Sequence, residues 1–269
     1  MVGNLQAVGV GGCKGVGSMR LITYTLAERP ELGRAGWRSL DGAWPAFMHL
    51  AATGVLYYGV PAFAEHVLLG VTPASPDVVV ARAASVPFRL PRHADGSPFE
   101  LPDDGWDEVV RWAAAGLLVD ERPDLVASLE VAVRHDVRHR GWGAQMITAV
   151  KDNARRLGFS ALVSPVRPVI KQREPNTPMS EFVSRIRADG LPADPWLRAH
   201  ARLGAQIVKV APASTVIALS LRSWRRVTGA AFDRSGPTLV PGGLVPVHAS
   251  VEHDHGVYVE PAVWMRHEL

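Results

Sequence analysis

The chain has 269 residues, of which 47% are hydrophobic and 20% charged, so it is long enough for one large globular domain and is not disordered by composition. Its net charge of +3 comes from 29 basic and 26 acidic residues without a basic run, which does not indicate a nucleic-acid-binding protein. A single cysteine, Cys13, excludes an internal disulfide framework and a cysteine-based zinc site.

Residues 1–18 are rich in glycine and valine and are predicted to be a disordered leader. They lack the basic region and the long apolar region of a signal peptide. Lys14 is followed by Gly15 rather than by Ser or Thr, so the leader does not match a phosphate-binding P-loop. Since nothing in the sequence requires an oxidising compartment, a cytoplasmic location is expected.

The first half of the chain is predicted to mix strands and helices. Residues 21–26 and 77–84 are predicted strands because apolar and β-branched residues dominate them. The uncharged stretch 46–64 approaches the length of a membrane span, but its histidine, glycines and prolines favour two helices between residues 45 and 70. A short helix is predicted at 106–115, and no membrane association is expected.

Residues 125–164 are predicted to form a strand, a glycine loop, a helix and a second strand. The strand at 125–133 leads into the loop, and the helix at 145–157 carries apolar residues three or four positions apart. The second strand follows at 160–164. This order is typical of a nucleotide or coenzyme site, in which a ligand phosphate meets the start of the helix.

The last third of the chain is predicted to alternate short helices and strands. The predicted helices are 180–187, 195–203 and 222–228, and 206–210 is a predicted strand. Residues 215–220 are apolar, and 237–269 alternates strand-like pieces with turns. The predicted organisation is a leader (1–18), a main domain (19–232) and a strand-rich C-terminal extension (233–269) packed on the same domain.

The glycine loop has the features of a pyrophosphate site. Gly141 and Gly143 allow the backbone to approach a ligand, and the following helix presents unpaired N–H groups and the positive end of its dipole. Arg138, His139 and Arg140 add positive charge for phosphate oxygens. The third glycine of a dinucleotide-binding motif and the Gly-Lys-Ser/Thr of a P-loop are both absent here.

The same loop resembles the signature of the Gcn5-related N-acetyltransferase (GNAT) superfamily, Gln/Arg-x-x-Gly-x-Gly/Ala. Arg138, Gly141 and Gly143 match its three defined positions, whereas His135 stands where proline is common. The resemblance covers about residues 77–210. It implies an α/β protein with a mixed α+β sheet, that is, a GNAT-like acyl-CoA N-acyltransferase fold with a C-terminal extension.

The resemblance also implies acetyl-CoA (coenzyme A) as co-substrate, without a metal. The loop would hold the pyrophosphate, and the strand before it would lie beside the pantetheine arm. The coenzyme-binding residues implied in this way are Val131, Val133, Arg138, His139, Arg140, Gly141, Trp142, Gly143 and Ala144.

Two residues are candidates for acid–base catalysis. His200 occupies the position where the family often has a tyrosine that protonates the leaving thiolate, and imidazole can donate a proton near neutral pH. A histidine that only lines its helix is an equally good interpretation. Glu130 interrupts an apolar strand, which is costly without a purpose, so it is the candidate base or amine-binding carboxylate. The alternative is a solvated glutamate at a sheet edge.

The predicted function is transfer of an acetyl or short acyl group from coenzyme A to the amine of a small molecule. Other acyl-CoA chemistry, such as decarboxylation or O-acylation, and a non-catalytic acyl-CoA sensor stay open, because a fold does not fix a function. The proline-rich segment 165–195 is predicted to cover the acceptor site. A monomer and a homodimer are both open.

Overall fold

The computed structural model describes residues 20–38, 40–57, 59–138 and 140–269. The predictions for the leader and for His139 therefore lie outside the described residues. The strands are β1 (Ile22–Thr25), β2 (Val67–Thr72), β3 (Ser75–Phe88), β4 (Leu125–Val133), β5 (Ala161–Val166), β6 (Gln206–Ser220), β7 (Gly236–Thr238), β8 (Val247–Ser250) and β9 (His255–Glu268). The α-helices are α1 (Gly33–Arg38), α2 (Gly105–Leu118), α3 (Trp142–Arg156), α4 (Met179–Val183), α5 (Pro195–Arg202) and α6 (Leu221–Thr228).

The described strands form one sheet in the order β1-β2-β3-β4-β5-β9-β8-β7, with β6 on the other edge of β9. Neighbours are antiparallel except β4 and β5, which are parallel. β9 is a central strand although it ends the chain, because it pairs with β5 on one edge and with β6 on the other. Part of the predicted C-terminal extension thus lies in the middle of the sheet, and the boundary at residue 233 stays a prediction.

Helices cover both faces of the sheet. The apolar stripe of α3 buries Met146, Val150 and Ala154 against one face, where they meet Val126 of β4. On the opposite face α2 buries Val109 and other residues against the larger core cluster. Each fully buried side chain of this size contributes about 1.5–3 kcal/mol to folding.

The prediction of two helices between residues 45 and 70 is wrong. Three short 3₁₀-helices occupy this stretch (Ala46–Leu50, Ala52–Leu56 and Pro61–His66), and β2 begins at Val67. Glycines and prolines prevent a longer helix, and the apolar run of β2 hydrogen-bonds to strands on both of its edges. Within the described ranges, no helix has the length and apolar character needed to cross a membrane.

β4 and β5 separate soon after they meet. Their pairing comprises only Val126 with Leu162 and Ala127 with Val163. Beyond this point β4 continues to Val133 and β5 to Val166, each paired with its other neighbour. The edge of β4 after Ala127 therefore offers backbone groups that pair with no described strand, and such groups require another partner or water. We call this opening the β4–β5 split.

A bulge in β4 lies at the mouth of the split. Opposite β3, Ala84 pairs with Glu130 and Ser85 pairs with Ser128, which leaves Leu129 as the extra residue. The bulge resets the alternation of side chains, so that Leu129 and Glu130 face the same side of the sheet. This is the face covered by α2.

Candidate functional site

The glycine loop supplies an uncapped helix start. Gly141 is the N-cap of α3 with φ of +76°, a left-handed conformation that glycine adopts without strain. Because glycine has no side-chain oxygen, the N-terminus of the helix has no side-chain cap. The first-turn amides, with the dipole behind them, are suited to an anion such as a pyrophosphate.

The first turn of α3 is packed closely by α5. A Cβ on Gly143 would lie 3.0 Å from Cζ3 of Trp196, so a larger residue would displace the indole ring. The side chain of Trp142 is buried in the core, and the guanidinium of Arg140 lies over its ring, 5.6 Å from the centroid. Arg138 and Arg140 are exposed beside the loop, where their guanidinium groups can reach phosphate oxygens. These features fit the pyrophosphate of coenzyme A.

Val131 and Val133 lie on the part of β4 that borders the split. Both are half-buried, and their side chains pack on the α3 face. Their backbone groups belong to the edge left open by β5. This placement is compatible with the predicted strand-like contact to a pantetheine arm, and the assignment stays a prediction.

A cavity of about 360 Å³ lies on the opposite face, beside the split. That volume is within the range of about 300–1,000 Å³ typical of small-molecule pockets. β4 contributes Leu129 and Glu130, and the other side of the split contributes Pro165 and Ala262. The wall also carries two arginine–glutamate pairs and three aromatic rings, namely Arg82, Glu130, Arg167, Glu260, Trp44, Tyr57 and Trp106.

Glu130 is buried in this wall and accepts three hydrogen bonds. Arg82 donates to both of its oxygens, from Nη2 to Oε1 at 2.6 Å and from Nε to Oε2 at 3.2 Å. The indole Nε1 of Trp44 donates to Oε1 at 2.9 Å. Both charged side chains are at most 4% exposed, so the low dielectric of the site strengthens the pair. The geometry fixes the carboxylate at the mouth of the split.

Glu260 is the second carboxylate of the cavity and is held from two sides. Arg167 donates from Nε to Oε1 at 2.8 Å and from Nη2 to Oε2 at 3.0 Å. The hydroxyl of Tyr258 donates to Oε2, and the same hydroxyl accepts from the amide of Leu244 at 2.9 Å. Burial and the adjacent carboxylate raise the pKa of Tyr258 above its usual range, so this donor keeps its proton.

His200 lies away from the cavity wall. Its ring is buried on α5, with Nδ1 3.1 Å from Nε2 of His267 and an edge-on contact to Trp196. Burial, and then the nearby charge of His267, lowers the pKa of His200 to about 3. The imidazole is therefore neutral at pH 7, which differs from what a general acid near neutral pH requires. The acid role stays a prediction, without support from this geometry.

The buried histidines predict a loss of stability in mild acid. Burial lowers the pKa of His66 and His267 to about 4 and that of His200 to about 3, against 6.5 in an exposed chain. Below pH 6.5 the unfolded chain binds protons that the folded chain does not, so stability falls as the pH falls towards 4. Each histidine contributes up to about 1.4 kcal/mol per pH unit.

We expect His200→Phe to reduce this pH slope, as measured by chemical denaturation between pH 7 and pH 4.5. The exposed His253→Gln is the matched control and should leave the slope as in the wild type. An unchanged slope in His200→Phe would contradict the assignment of His200 as a buried, neutral histidine.

Activity of the same variant tests the predicted acid role separately. That role is supported if the folded variant turns over at least about 100-fold more slowly than the wild type.

Most residues of the cavity wall were not predicted from the sequence. Arg82 and Glu260 each lie between apolar neighbours within a strand, as Glu130 does, although β3 also contains Asp77 and β9 also contains Arg266 and Glu268. Arg167 follows the end of β5 directly. Within the parts of the chain that the structure describes, no group of three or more His, Cys, Asp or Glu residues could hold a metal ion.

Known proteins resemble the chain over nearly its whole length. It is 29% identical to the arginine N-acetyltransferase avaD of Aspergillus versicolor over 275 residues, which covers 91% of this chain and 93% of the relative. Among solved structures, the loading GNATL domain of CurA from Lyngbya majuscula matches with a TM-score of 0.58 at 14% identity, covering 93% of this chain and 96% of that domain. The GphF GNAT-like decarboxylase in complex with isobutyryl-CoA matches with a TM-score of 0.52 at 16% identity, covering 93% and 98%. No protein-family model matches the chain.

Proposed function

We propose that this chain, an acyltransferase of the GNAT superfamily, moves an acetyl or other short acyl group from coenzyme A to the amine of a small molecule. The predicted mixed α/β fold is confirmed by the sheet topology and by the two structural likenesses. The predicted resemblance to the superfamily is confirmed together with the fold, and the relative at 29% identity is an N-acetyltransferase.

The β4–β5 split carries the proposal. It opens between the uncapped start of α3 on one face and the charged cavity on the other. A thioester held with its pyrophosphate at Gly141 would have an open strand edge along which its arm could extend towards Glu130. Acetyl-CoA, when bound, supplies the acyl group, and the cavity supplies an enclosed place for the acceptor.

In the proposed reaction the acceptor nitrogen attacks the thioester carbonyl, so that a C–N bond forms and the C–S bond breaks. Glu130 accepts a proton from the acceptor amine, directly or through water, and the leaving thiolate takes up a proton from water. Glu130 then returns its proton to water, so that amine and thioester give amide and thiol. Arg82 and Trp44 keep the Glu130 carboxylate in one orientation. The roles of these side chains are proposals.

Arginine is the first acceptor to test, because the relative avaD is an arginine N-acetyltransferase. The cavity favours a small acceptor, because strands and short helices of the same chain enclose a volume of only about 360 Å³. Each of its two carboxylates is paired with an arginine, so the wall is balanced in charge. A cytoplasmic location, the lack of nucleic-acid and membrane partners, and the choice between monomer and homodimer stay predictions.

We expect acetyl-CoA and arginine together to release free coenzyme A thiol, measured with a thiol-reactive dye, and to give an acetylated product by mass spectrometry. Acetyl-CoA alone is the control and should release little thiol. Decarboxylation would instead convert malonyl-CoA to acetyl-CoA without free thiol. A protein that binds coenzyme A but releases no thiol with any amine or alcohol would be a sensor, and the proposal would fail.

A further inference from the structure

One wall of the cavity carries hydrogen-bond donors that the protein itself does not use. Arg167 binds Glu260 through Nε and Nη2 and the carbonyl of Gly242 through Nη2 at 2.6 Å. Its Nη1 makes no hydrogen bond to any described residue. The indole Nε1 of Trp106, also in the wall, is buried and has no partner within the described chain. The Trp106 nitrogen is a buried donor without a partner, which is costly, whereas the Arg167 side chain is 16% exposed and its Nη1 can be reached by water or a ligand. Both donors suit an acceptor atom of a ligand.

Arg167 and Glu130 belong to opposite sides of the split. Glu130 lies on β4, whereas Arg167 directly follows β5, and the two strands stand about 5 Å apart where they still pair. The cavity thus presents a carboxylate from one side and a guanidinium edge from the other. Its two arginines and two glutamates balance in charge, so a ligand bearing both an ammonium and a carboxylate meets a counterpart for each.

We propose that Arg167 binds the carboxylate of the acceptor, so that this acyltransferase acts on α-amino acids in preference to amines without a carboxylate. The inference rests on the proposed function and narrows its substrate class. Glu260 and Tyr258 act as positioning residues, because they fix one edge of the guanidinium and leave Nη1 towards the ligand. With its carboxylate at Arg167, the amino acid places its α-amine towards Glu130.

The rings of the wall are suited to the side chain of such an amino acid. Tyr57 and Trp106 meet edge to face with centroids 5.7 Å apart, and Trp44 lies beside Glu130. Aromatic faces stabilise a guanidinium or ammonium group by cation–π attraction as well as by apolar contact. A basic or aromatic amino acid is therefore favoured over a small polar one.

The test compares amino acids with amines that differ only by the carboxylate. The pairs are arginine with agmatine, lysine with cadaverine, and tryptophan with tryptamine, and kcat/KM is measured for each by thiol release. A hydrogen bond to a charged group predicts a preference for the amino acid of roughly 10- to 100-fold. Equal use of both members of every pair would overturn the inference and leave the proposed acyl transfer intact.

A double variant separates recognition from folding. Arg167→Met with Glu260→Gln removes both charges together, so no buried charge is left unpaired, and Gln can still accept from Tyr258. We expect the double variant to use the amino acid and the matching amine about equally well. The matched control, Arg185→Met with Glu174→Gln, makes the same changes in an exposed pair of the neighbouring segment and should keep the wild-type preference.

The other possible results test the role of Arg167 and the proposed function. A wild-type preference that survives in the Arg167 double variant would overturn the role of Arg167. If none of the six compounds and no other amine causes thiol release, the proposed function is overturned, and the inference with it. A preference that disappears only in the Arg167 double variant supports the assignment.

Discussion

Glu130→Gln is expected to lower kcat/KM for acyl transfer by about 10²- to 10⁴-fold, the range for loss of a positioned acid–base group. The amide keeps an oxygen for the Trp44 indole but cannot accept a proton from the acceptor amine. Because the change is on the acceptor side of the split, binding of acetyl-CoA should stay near the wild-type level. Steady-state thiol release and thermal shift with acetyl-CoA measure the two quantities.

Stability must be separated from chemistry in this variant. Glu130→Gln leaves Arg82 buried without its counter-charge, and breaking such a pair costs about 3–5 kcal/mol. Arg82→Met combined with Glu130→Gln removes both charges and should recover most of that loss, while activity stays low. If the double variant regains activity, Glu130 serves the fold rather than the reaction. Glu108→Gln, in an exposed pair on α2, controls for the substitution itself.

The segment around the glycine loop was predictable because local rules and tertiary structure agree there. The strand Leu125–Val133 matches its prediction at both ends, and α3 starts three residues before the predicted Gln145. Apolar periodicity, glycine positions and the turn before the helix all depend on residues close in sequence. The same holds for β1 and α5, whose boundaries differ from prediction by at most one residue.

The structure around residues 45–70 was not predictable in this way. β2 is a strand because β1 and β3 flank it, and that pairing involves residues up to 49 positions apart, such as Ile22 and Val71. The residues of β2 are also compatible with a buried helix, so their apolar pattern does not distinguish a strand from a helix. The position of β9 between β5 and β6 depends equally on long-range pairing.

The candidate site also has one part that depends on residues close in sequence and one part that depends on long-range pairing. The helix-start half lies within seven consecutive residues and is visible as a motif, whereas the cavity half joins Arg82, Glu130, Arg167 and Glu260 from four separate parts of the chain. Each of the three strand residues lies between apolar neighbours, but only the fold shows which charges meet. The bulge at Leu129, which turns Glu130 into the cavity, has no counterpart in the sequence pattern.

Gly141→Asp is expected to remove the stabilisation that coenzyme A gives the protein. At about 100 times its dissociation constant, a ligand adds roughly 2.7 kcal/mol to the free energy of unfolding. An aspartate at the helix N-cap would place a carboxylate where the pyrophosphate is predicted to bind, and like charges brought together cost several kcal/mol. We expect the dissociation constant to rise by about 100-fold or more and the thermal shift with coenzyme A or acetyl-CoA to vanish.

The control for this substitution is Gly158→Asp at the other end of the same helix. Gly158 also has positive φ, +89°, and a Cβ there meets no atom within 4 Å, as at Gly141, so the two variants carry similar backbone strain. Both should lose some stability without ligand, because aspartate tolerates the left-handed conformation less well than glycine does. Only Gly141→Asp should lose the ligand-induced shift. Equal shifts in both variants would place the coenzyme away from this loop, whereas no shift in the wild type with any acyl-CoA would remove the basis of the proposed function.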